Sequence, residues 1–182
     1  MNFIFVHINK TAGSSIEEAL GLRFRHRTAR QIIEEIGPGK WRECFTFAVV
    51  RNPWDKVVSH YSYRVETNQT GMGDGKMGFA DWVRESYGRR NPVFHDKPLM
   101  FMPQVDWISD EKGRILVNFV ARFENLQADF DTVCERIGRQ QVPLPHRKQS
   151  KHGDYRDLYD AETRGIIGDW FRRDIEQFNY TF

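Results

Sequence analysis

The sequence has little of several features that mark particular classes of protein. Its 182 residues include two cysteines, Cys44 and Cys134, which are too few for a disulfide framework and lack metal-ligand spacing. No segment approaches the roughly 20 apolar residues that span a bilayer, and no basic region precedes a long apolar run at the N-terminus. We therefore expect reduced thiols and a soluble, cytoplasmic protein that does not associate with membranes.

The sequence also lacks a strong charge of either sign. Lysine and arginine number 27 against 25 acidic residues, a net charge of +2, so bulk electrostatics does not favour nucleic acid as a partner. There are no internal repeats and no low-complexity tract. The length favours one domain over residues 1–182, and a hydrophobic content of 40% is sufficient for a core.

The most informative stretch is the beginning of the chain. Residues 3–8 are almost all large and apolar, with little alternation, which is typical of a parallel strand buried on both faces. Residues 9–15 add a lysine, a glycine and three hydroxyls, and Ile16 and Leu20 follow at helical spacing. A strand, a short loop and a helix N-terminus in this order predict an anion site, because backbone N–H groups and the positive end of the helix dipole meet there.

Two further features of this loop qualify the prediction. Ser14 with Glu17, and Ser15 with Glu18, each fit a capping box at the start of a helix. The loop is not a Walker A motif, since its lysine precedes the glycine and no paired glycine stands upstream. A plain capped helix beside an exposed lysine is the alternative interpretation.

A second strand, turn and helix follow in the middle of the first half. Residues 44–50 predict a buried strand, and Pro53 suits the first turn of a helix. Arg51 stands at the C-terminal end of that strand, where ligands gather in α/β sheets, and its planar fork suits a phosphate. Ser59 lies two turns further on and offers a hydroxyl to the same anion, whereas a salt bridge from Arg51 to Asp55 is the structural alternative.

These two units together carry a family resemblance. Residues 7–15 (HINKTAGSS) resemble the 5′-phosphosulfate loop of sulfotransferases that use 3′-phosphoadenosine 5′-phosphosulfate (PAPS), and residues 50–61 (VRNPWDKVVSHY) resemble their 3′-phosphate motif. Residues 26–30, 122–126 and 144–182 extend the likeness over nearly the whole chain. The sequence is most similar to the carbohydrate-type branch, which includes Golgi enzymes and small bacterial relatives.

One position departs from the family pattern, since Asn9 stands where proline is usual. The resemblance implies a fold of the α/β class, a P-loop-like three-layer sandwich with a mostly parallel sheet flanked by helices. It also implies two sets of residues that bind the donor nucleotide. At the 5′ end these are Lys10, Thr11, Ala12, Gly13, Ser14 and Ser15. At the 3′-phosphate these are Arg51 and Ser59, with Lys148, Ser150, Lys151 and Tyr155 on a loop that closes over the nucleotide.

The resemblance implies a transfer reaction that needs no metal. A sulfuryl group passes in line from PAPS to an acceptor hydroxyl, leaving 3′-phosphoadenosine 5′-phosphate (PAP), and Lys10 stabilises the leaving phosphate. Histidine is the natural base at neutral pH, and His26 lies between the two phosphate motifs. His60, His95 and the carboxylates Glu18 and Glu124 stay open as alternatives.

The acceptor is the least defined part of the prediction. We expect a carbohydrate or another small polar molecule, with the glycine-rich, flexible insert over residues 66–103 as a possible lid over the acceptor. The sequence does not fix the oligomeric state. Two other functions stay open: a nucleotide or nucleoside kinase, and a catalytically inactive module that binds PAP.

Overall fold

In the part of the chain that the structure describes, three short parallel strands form the sheet, namely β1 (Phe3–Val6), β2 (Phe45–Val50) and β3 (Phe119–Arg122). The structure is a computed structural model and describes residues 2–23, 25–145 and 153–182. The helices of these residues are α1 (Gly13–Leu20), α2 (Ala29–Ile36), α3 (Pro38–Glu43), α4 (Pro53–Glu66), α5 (Phe79–Val83), α6 (Pro98–Phe101), α7 (Gln104–Ile108), α8 (Leu126–Ile137), α9 (Ala161–Trp170) and α10 (Arg172–Phe178).

The described residues divide into two compact units. The first unit comprises those of 1–51 and 104–149, and the second those of 52–103 and 150–182. The sheet, α1–α3, α7 and α8 therefore belong to the first unit, and α4–α6, α9 and α10 to the second. That the chain forms one domain stays a prediction.

The central strand explains why the apolar runs of the sequence do not alternate. All six residues of β2 are buried, and β2 pairs in parallel with β1 on one side and with β3 on the other. A strand with neighbours on both edges and cover on both faces has no polar side. The predicted α/β class, with a parallel sheet flanked by helices, is confirmed.

The first unit has its core on one face of this sheet. The residues of β2 with odd numbers pack with the apolar faces of α1 and α8, and each large side chain buried there contributes about 1.5–3 kcal/mol. The buried members of this cluster are Ile16, Leu20, Phe45, Phe47, Val49, Ala121, Phe130, Val133, Cys134, Ile137 and Leu144.

The third strand lies later in the chain than its sequence pattern predicted. The apolar run within residues 114–120 predicts a strand over that range, but β3 occupies Phe119–Arg122. The earlier residues turn instead, because Ile115 forms an isolated antiparallel bridge with Ser109. The backbone N–H and hydroxyl of Thr46 both donate to Asn118 Oδ1, at 2.8 and 2.9 Å, which fixes where β3 begins.

The second unit is built around α4, and the segment over residues 66–103 contributes to its core. Trp54, Val57 and Val58 of α4 share a buried cluster with Trp82 and Phe171, among others. The glycine-rich part of the segment forms a 3₁₀ turn over Gln69–Asp74, and a π-helix over Arg84–Gly88 follows α5. The role of this segment as an acceptor lid stays a prediction.

The described helices also bear on membrane insertion. None of those in residues 2–23, 25–145 and 153–182 combines the length and the apolar character that a membrane crossing requires.

Candidate functional site

The loop after β1 is held by an unusual backbone. Lys10 and Ala12 both have a φ of 64°, in the left-handed region, which costs a residue other than glycine about 1–2 kcal/mol. The Thr11 hydroxyl between them donates to the carbonyl of Ile8 at 2.9 Å and ties the loop to the strand end. The loop therefore keeps a strained conformation that a plain turn would not need.

The start of α1 carries no side-chain cap. Ala12 is the N-cap residue and makes no side-chain cap bond, and the first turn contains no acidic residue. The predicted capping boxes are wrong, because their members bind elsewhere: the Ser15 hydroxyl donates to the carbonyl of Pro145 at 2.9 Å, and Glu17 binds His7. The first N–H groups of a helix have no partners within it, so this end of α1 suits an anion.

Gly13, the first residue of α1, packs so closely against His7 that no side chain fits at its position. A Cβ atom at this position would lie 2.0 Å from Cδ2 and Nε2 of the His7 ring. Any larger residue must therefore displace the ring or the helix start. The glycine of the loop is required by close packing, since its φ does not lie in the left-handed region.

His7 and Glu17 form a buried pair in the first unit. Nδ1 of His7 lies 2.8 Å from Oε1 of Glu17, and both residues are buried. Burial, together with the neighbouring His26, lowers the pKa of His7 to about 3, so that the ring is neutral near pH 7. Burial raises the pKa of the Glu17 carboxyl, while the backbone N–H of Arg25 acts in the opposite direction.

His26 lies directly beside this pair. Its Nδ1 is 3.0 Å from the main-chain carbonyl oxygen of His7, and the two imidazole rings are 4.3 Å apart. The edge of Trp107 lies against the other side, at 5.9 Å between ring centroids. A carbonyl oxygen only accepts, so His26 donates from Nδ1, and its neutral ring keeps the basic lone pair at Nε2.

Arg51 connects β2 to the loop after β1. Its Nη1 donates to the carbonyl of Lys10 at 3.2 Å, and its guanidinium lies 3.9 Å from the centre of the Phe123 ring. The side-chain amide of Gln104 binds both the backbone N–H and the carbonyl of Arg51, at 2.9 and 2.8 Å. Arg51 is therefore buried and oriented, with its cationic group next to the loop that carries Lys10.

The other histidines considered as bases belong to the second unit. His60 is buried, with its ring 5.0 Å from that of Phe101 and 5.5 Å from that of Trp82. His95 is half-buried, places Nδ1 3.0 Å from the carbonyl of Ser86, and stacks 4.3 Å from Phe101. Both rings take part in the aromatic packing of that unit.

The remaining predicted nucleotide contacts are distributed over the second unit and the residues outside the description. Ser59 is half-buried on α4. The Tyr155 hydroxyl accepts a hydrogen bond from the Asn52 side chain at 3.3 Å, and its ring meets Phe182 edge-on. Lys148, Ser150 and Lys151 lie outside the described residues.

Three contacts of the site could not be read from local patterns. Glu17 was predicted as a capping residue, yet it binds His7, ten positions earlier. Gln104 and Trp107 attracted no functional prediction, and they reach Arg51 and His26 from α7.

The described residues contain no group of three or more histidine, cysteine, aspartate or glutamate side chains that would hold a metal ion.

An open depression of about 600 Å³ lies in the second unit, lined by Val65, Glu66, Asn68, Gly71, Gly73 and Asp74.

Comparison with known proteins identifies the family. Residues 1–181 match the model of the sulfotransferase family. An uncharacterized protein of Archaeoglobus fulgidus is 27% identical over 110 residues, which is 60% of this chain and 81% of that protein. The crystal structure of a sulfotransferase from Alicyclobacillus acidocaldarius aligns with a TM-score of 0.41 and 15% identity, over 84% of this chain and 62% of that one. Because the family model matches almost the full length, this chain belongs to the sulfotransferase family.

Proposed function

We propose that this protein transfers a sulfuryl group from PAPS to a hydroxyl of a carbohydrate or another small polar acceptor. The observation that carries the proposal is the start of α1, an uncapped helix N-terminus that directly follows Lys10 on a strained loop. Such a helix end offers N–H donors and a positive dipole to an anionic group. The match to the sulfotransferase family supports our assignment of that anion as the 5′-phosphosulfate of the donor.

The 5′ end of the nucleotide binds along the loop and the first turn of α1. Lys10 is partly exposed and Ser14 is exposed, so that both are accessible to a ligand. The other contacts of this set are Thr11, Ala12, Gly13 and Ser15. The hydroxyls of Thr11 and Ser15 already donate to carbonyl oxygens, and the backbone N–H of Ser15 donates to the carbonyl of Ala12 at 3.0 Å. We therefore assign the backbone N–H of Thr11 to the ligand, and Ser15 lines the site without a donor of its own to the ligand.

The 3′-phosphate binds Arg51 and Ser59 in this proposal. Arg51 has five N–H donors in a rigid fork, and the carbonyl of Lys10 accepts from one of them. The assignment of Ser59, Lys148, Ser150, Lys151 and Tyr155 follows from the family resemblance alone. It is supported by the order of the two phosphate motifs along the chain.

The transfer step is an in-line displacement at sulfur. The acceptor oxygen forms a bond to sulfur while the bond from sulfur to the 5′-phosphate oxygen breaks, and the electron pair leaves with PAP. Lys10 stabilises the negative charge that develops on this oxygen. His26 accepts the hydroxyl proton at Nε2, the atom that its Nδ1 bond to His7 leaves basic.

A nucleotide panel tests the proposal most economically. PAP, ADP, and ATP with Mg²⁺ are added to the protein at equal concentrations, and thermal unfolding is followed. At 100 times its dissociation constant a ligand stabilises the native state by about 2.7 kcal/mol, so PAP should give a clear shift and ADP little. In parallel, PAP release from PAPS is measured with a panel of sugars and small alcohols.

Each outcome of this panel leads to a different conclusion. Stabilisation by PAP together with acceptor-dependent PAP release supports the proposal. Stabilisation by PAP without transfer to any acceptor would indicate an inactive binding module instead. Equal shifts with all three nucleotides, or a shift with ATP and Mg²⁺ alone, would contradict the proposal and favour a phosphotransferase.

A further inference from the structure

Three residues of the first unit are linked by two hydrogen bonds, one to the ring of His7 and the other to its main-chain carbonyl. Oε1 of Glu17 on α1 meets Nδ1 of His7 at 2.8 Å, and the main-chain carbonyl of His7 meets Nδ1 of His26 at 3.0 Å. Glu17 and His7 are 6% and 4% exposed, whereas His26 is only partly buried. Of the two rings, that of His26 is therefore the more accessible to an acceptor.

The hydrogen-bond roles along this chain are fixed by the chemistry of each group. When the Glu17 carboxyl is ionised it only accepts, and the neutral ring of His7 then carries its proton at Nδ1 and directs it to Glu17. The carbonyl of His7 likewise only accepts, so His26 donates from Nδ1. Each bond therefore favours one of the two neutral tautomers of its histidine.

The ring of His7 is held on several sides and supports His26. Gly13 lies so close that its Cβ position overlaps the ring, and Phe5 stacks at 5.5 Å between centroids. His26 then packs on His7 at 4.3 Å, with Trp107 against its other side. The hydrogen bond to the Glu17 carboxylate orients the supporting ring.

We propose that Glu17 is a positioning residue for sulfuryl transfer, which acts through His7 to hold His26 as the Nδ1–H tautomer with Nε2 as the basic atom. This inference rests on the proposed function. Glu17 itself touches neither donor nor acceptor. When the acceptor oxygen bonds to sulfur, its proton passes to Nε2 of His26, and it later leaves to water.

The charged groups around the chain are compatible with this role. Arg25 gives its backbone N–H to Glu17 at 3.4 Å, while its side chain pairs with Glu35. The low pKa of His7 keeps that ring neutral when His26 takes a proton, so that the proton stays on His26. A carboxylate behind two rings orients a base without accepting the proton itself.

The decisive variants are Glu17→Met and Glu17→Gln. Methionine keeps the volume and removes the acceptor, so kcat should fall at least roughly tenfold, with little change in KM for PAPS and an altered acid limb of the pH–rate profile. Glutamine retains a carbonyl acceptor and should restore most of the activity. In a His26→Asn background, Glu17→Met should have no additional effect, because the residues act as one unit.

Several kinetic results would overturn the proposal. An equal loss of kcat from Glu17→Met with and without His26 would show a purely structural role. An unchanged kcat, or a change confined to KM, would contradict a positioning role. Failure of glutamine to restore activity would show that the acceptor oxygen is not the relevant feature.

A spectroscopic measurement separates this proposal from the proposed function. Histidine ring ¹⁵N shifts of the wild-type protein should show His26 as the Nδ1–H tautomer, and Glu17→Met should convert it to a mixture. An Nε2–H tautomer in the wild type would overturn the proposal without any variant. If no acceptor is sulfated, the proposed function fails, and the tautomer measurement still decides the role of Glu17.

Discussion

The two helices that follow β1 and β2 begin in opposite ways. α1 starts at Ala12 with no side-chain cap and no acid in its first turn. α4 starts at Asn52, whose side chain accepts the N–H of Trp54 at 3.1 Å, with Pro53 next and Asp55 in the first turn. Both follow a parallel strand of the same sheet, so the strand does not determine how the helix begins.

This difference separates helix starts that serve the fold from those that serve a ligand. An asparagine cap, a proline at the first position and an early aspartate each stabilise a helix end, and together they neutralise it toward anions. α4 has all three. α1 has none and lies behind a lysine, so its N–H groups and dipole are left for an external anion. Before α4 the group proposed to bind the anion is instead the guanidinium of Arg51, a side chain, and not the N-terminal end of the helix.

The largest expected effect comes from removing the cation at the start of α1. Lys10→Ala should lower kcat for sulfuryl transfer about 10²–10³-fold, as expected when one group that stabilises the leaving oxygen is lost. Lys112→Ala, an exposed lysine of the same unit, is the control and should be neutral. Initial rates of PAP formation measure the effect in both variants. A loss of kcat below tenfold in Lys10→Ala would contradict a role of the α1 start in stabilising the leaving oxygen.

The next largest effect tests the packing that allows α1 to start where it does. Gly13→Ala should destabilise the protein by about 1–3 kcal/mol, because the new methyl overlaps the His7 ring. Gly39→Ala on α3, where no atom lies within 4 Å, is the matched control and should stabilise by about 0.5–1 kcal/mol. Denaturant unfolding measures both, and equal effects would contradict the close contact.

At the start of α4 we expect a substitution to change the free energy of unfolding and not the affinity for the nucleotide. Asn52→Ala should cost about 1–2 kcal/mol, because it removes the cap and the bond to the carbonyl of Thr181 at 2.8 Å. Asn125→Ala, at the N-cap of α8 but without a side-chain cap bond, should cost less. PAP affinity should fall no further in Asn52→Ala than in this control. A selective loss of affinity would mean that Asn52 contributes to nucleotide binding, either at the start of α4 or through Tyr155, to whose hydroxyl it also donates.

The smallest expected effect gives α1 the charge that α4 already has. Ser14→Asp places a carboxylate in the first turn of α1 and should raise stability by about 0.3–1 kcal/mol, since it complements the dipole. The same charge should weaken PAP binding about tenfold by repulsion. Ser14→Asn serves as the uncharged control. Denaturant unfolding measures the stability of Ser14→Asp, and calorimetric titration measures its affinity for PAP. A variant in which both quantities rise, or both fall, would contradict the comparison.

The sequence predicted the parts of this site that depend on neighbouring residues. The apolar runs before Asn9 and Arg51 indicated two strands, of which β2 is buried throughout and β1 is largely half-buried. The first-turn position of Pro53 on α4 is confirmed as well. Each of these features is determined within a few residues, so a single sequence carries the information.

The parts that sequence reasoning missed depend on distant partners. Ser15 looked like a capping residue, but the carbonyl of Pro145, 130 positions away, accepts its hydroxyl. Glu17 looked like a capping partner, but the fold brings His7 to it. Arg51 is oriented by Gln104, which is 53 positions later. No local pattern distinguishes a serine or glutamate that caps a helix from one that the tertiary fold recruits.

One measurement tests directly whether the start of α1 holds the 5′ end of the nucleotide. Calorimetric titration compares PAP with adenosine 3′-monophosphate, which lacks the 5′-phosphate, in the wild type and in Lys10→Ala. We predict that Lys10→Ala weakens PAP at least roughly tenfold, as the loss of a charge-assisted contact would, and leaves adenosine 3′-monophosphate unchanged. Equal weakening of both nucleotides, or of neither, would contradict the assignment of this helix start to the 5′-phosphosulfate.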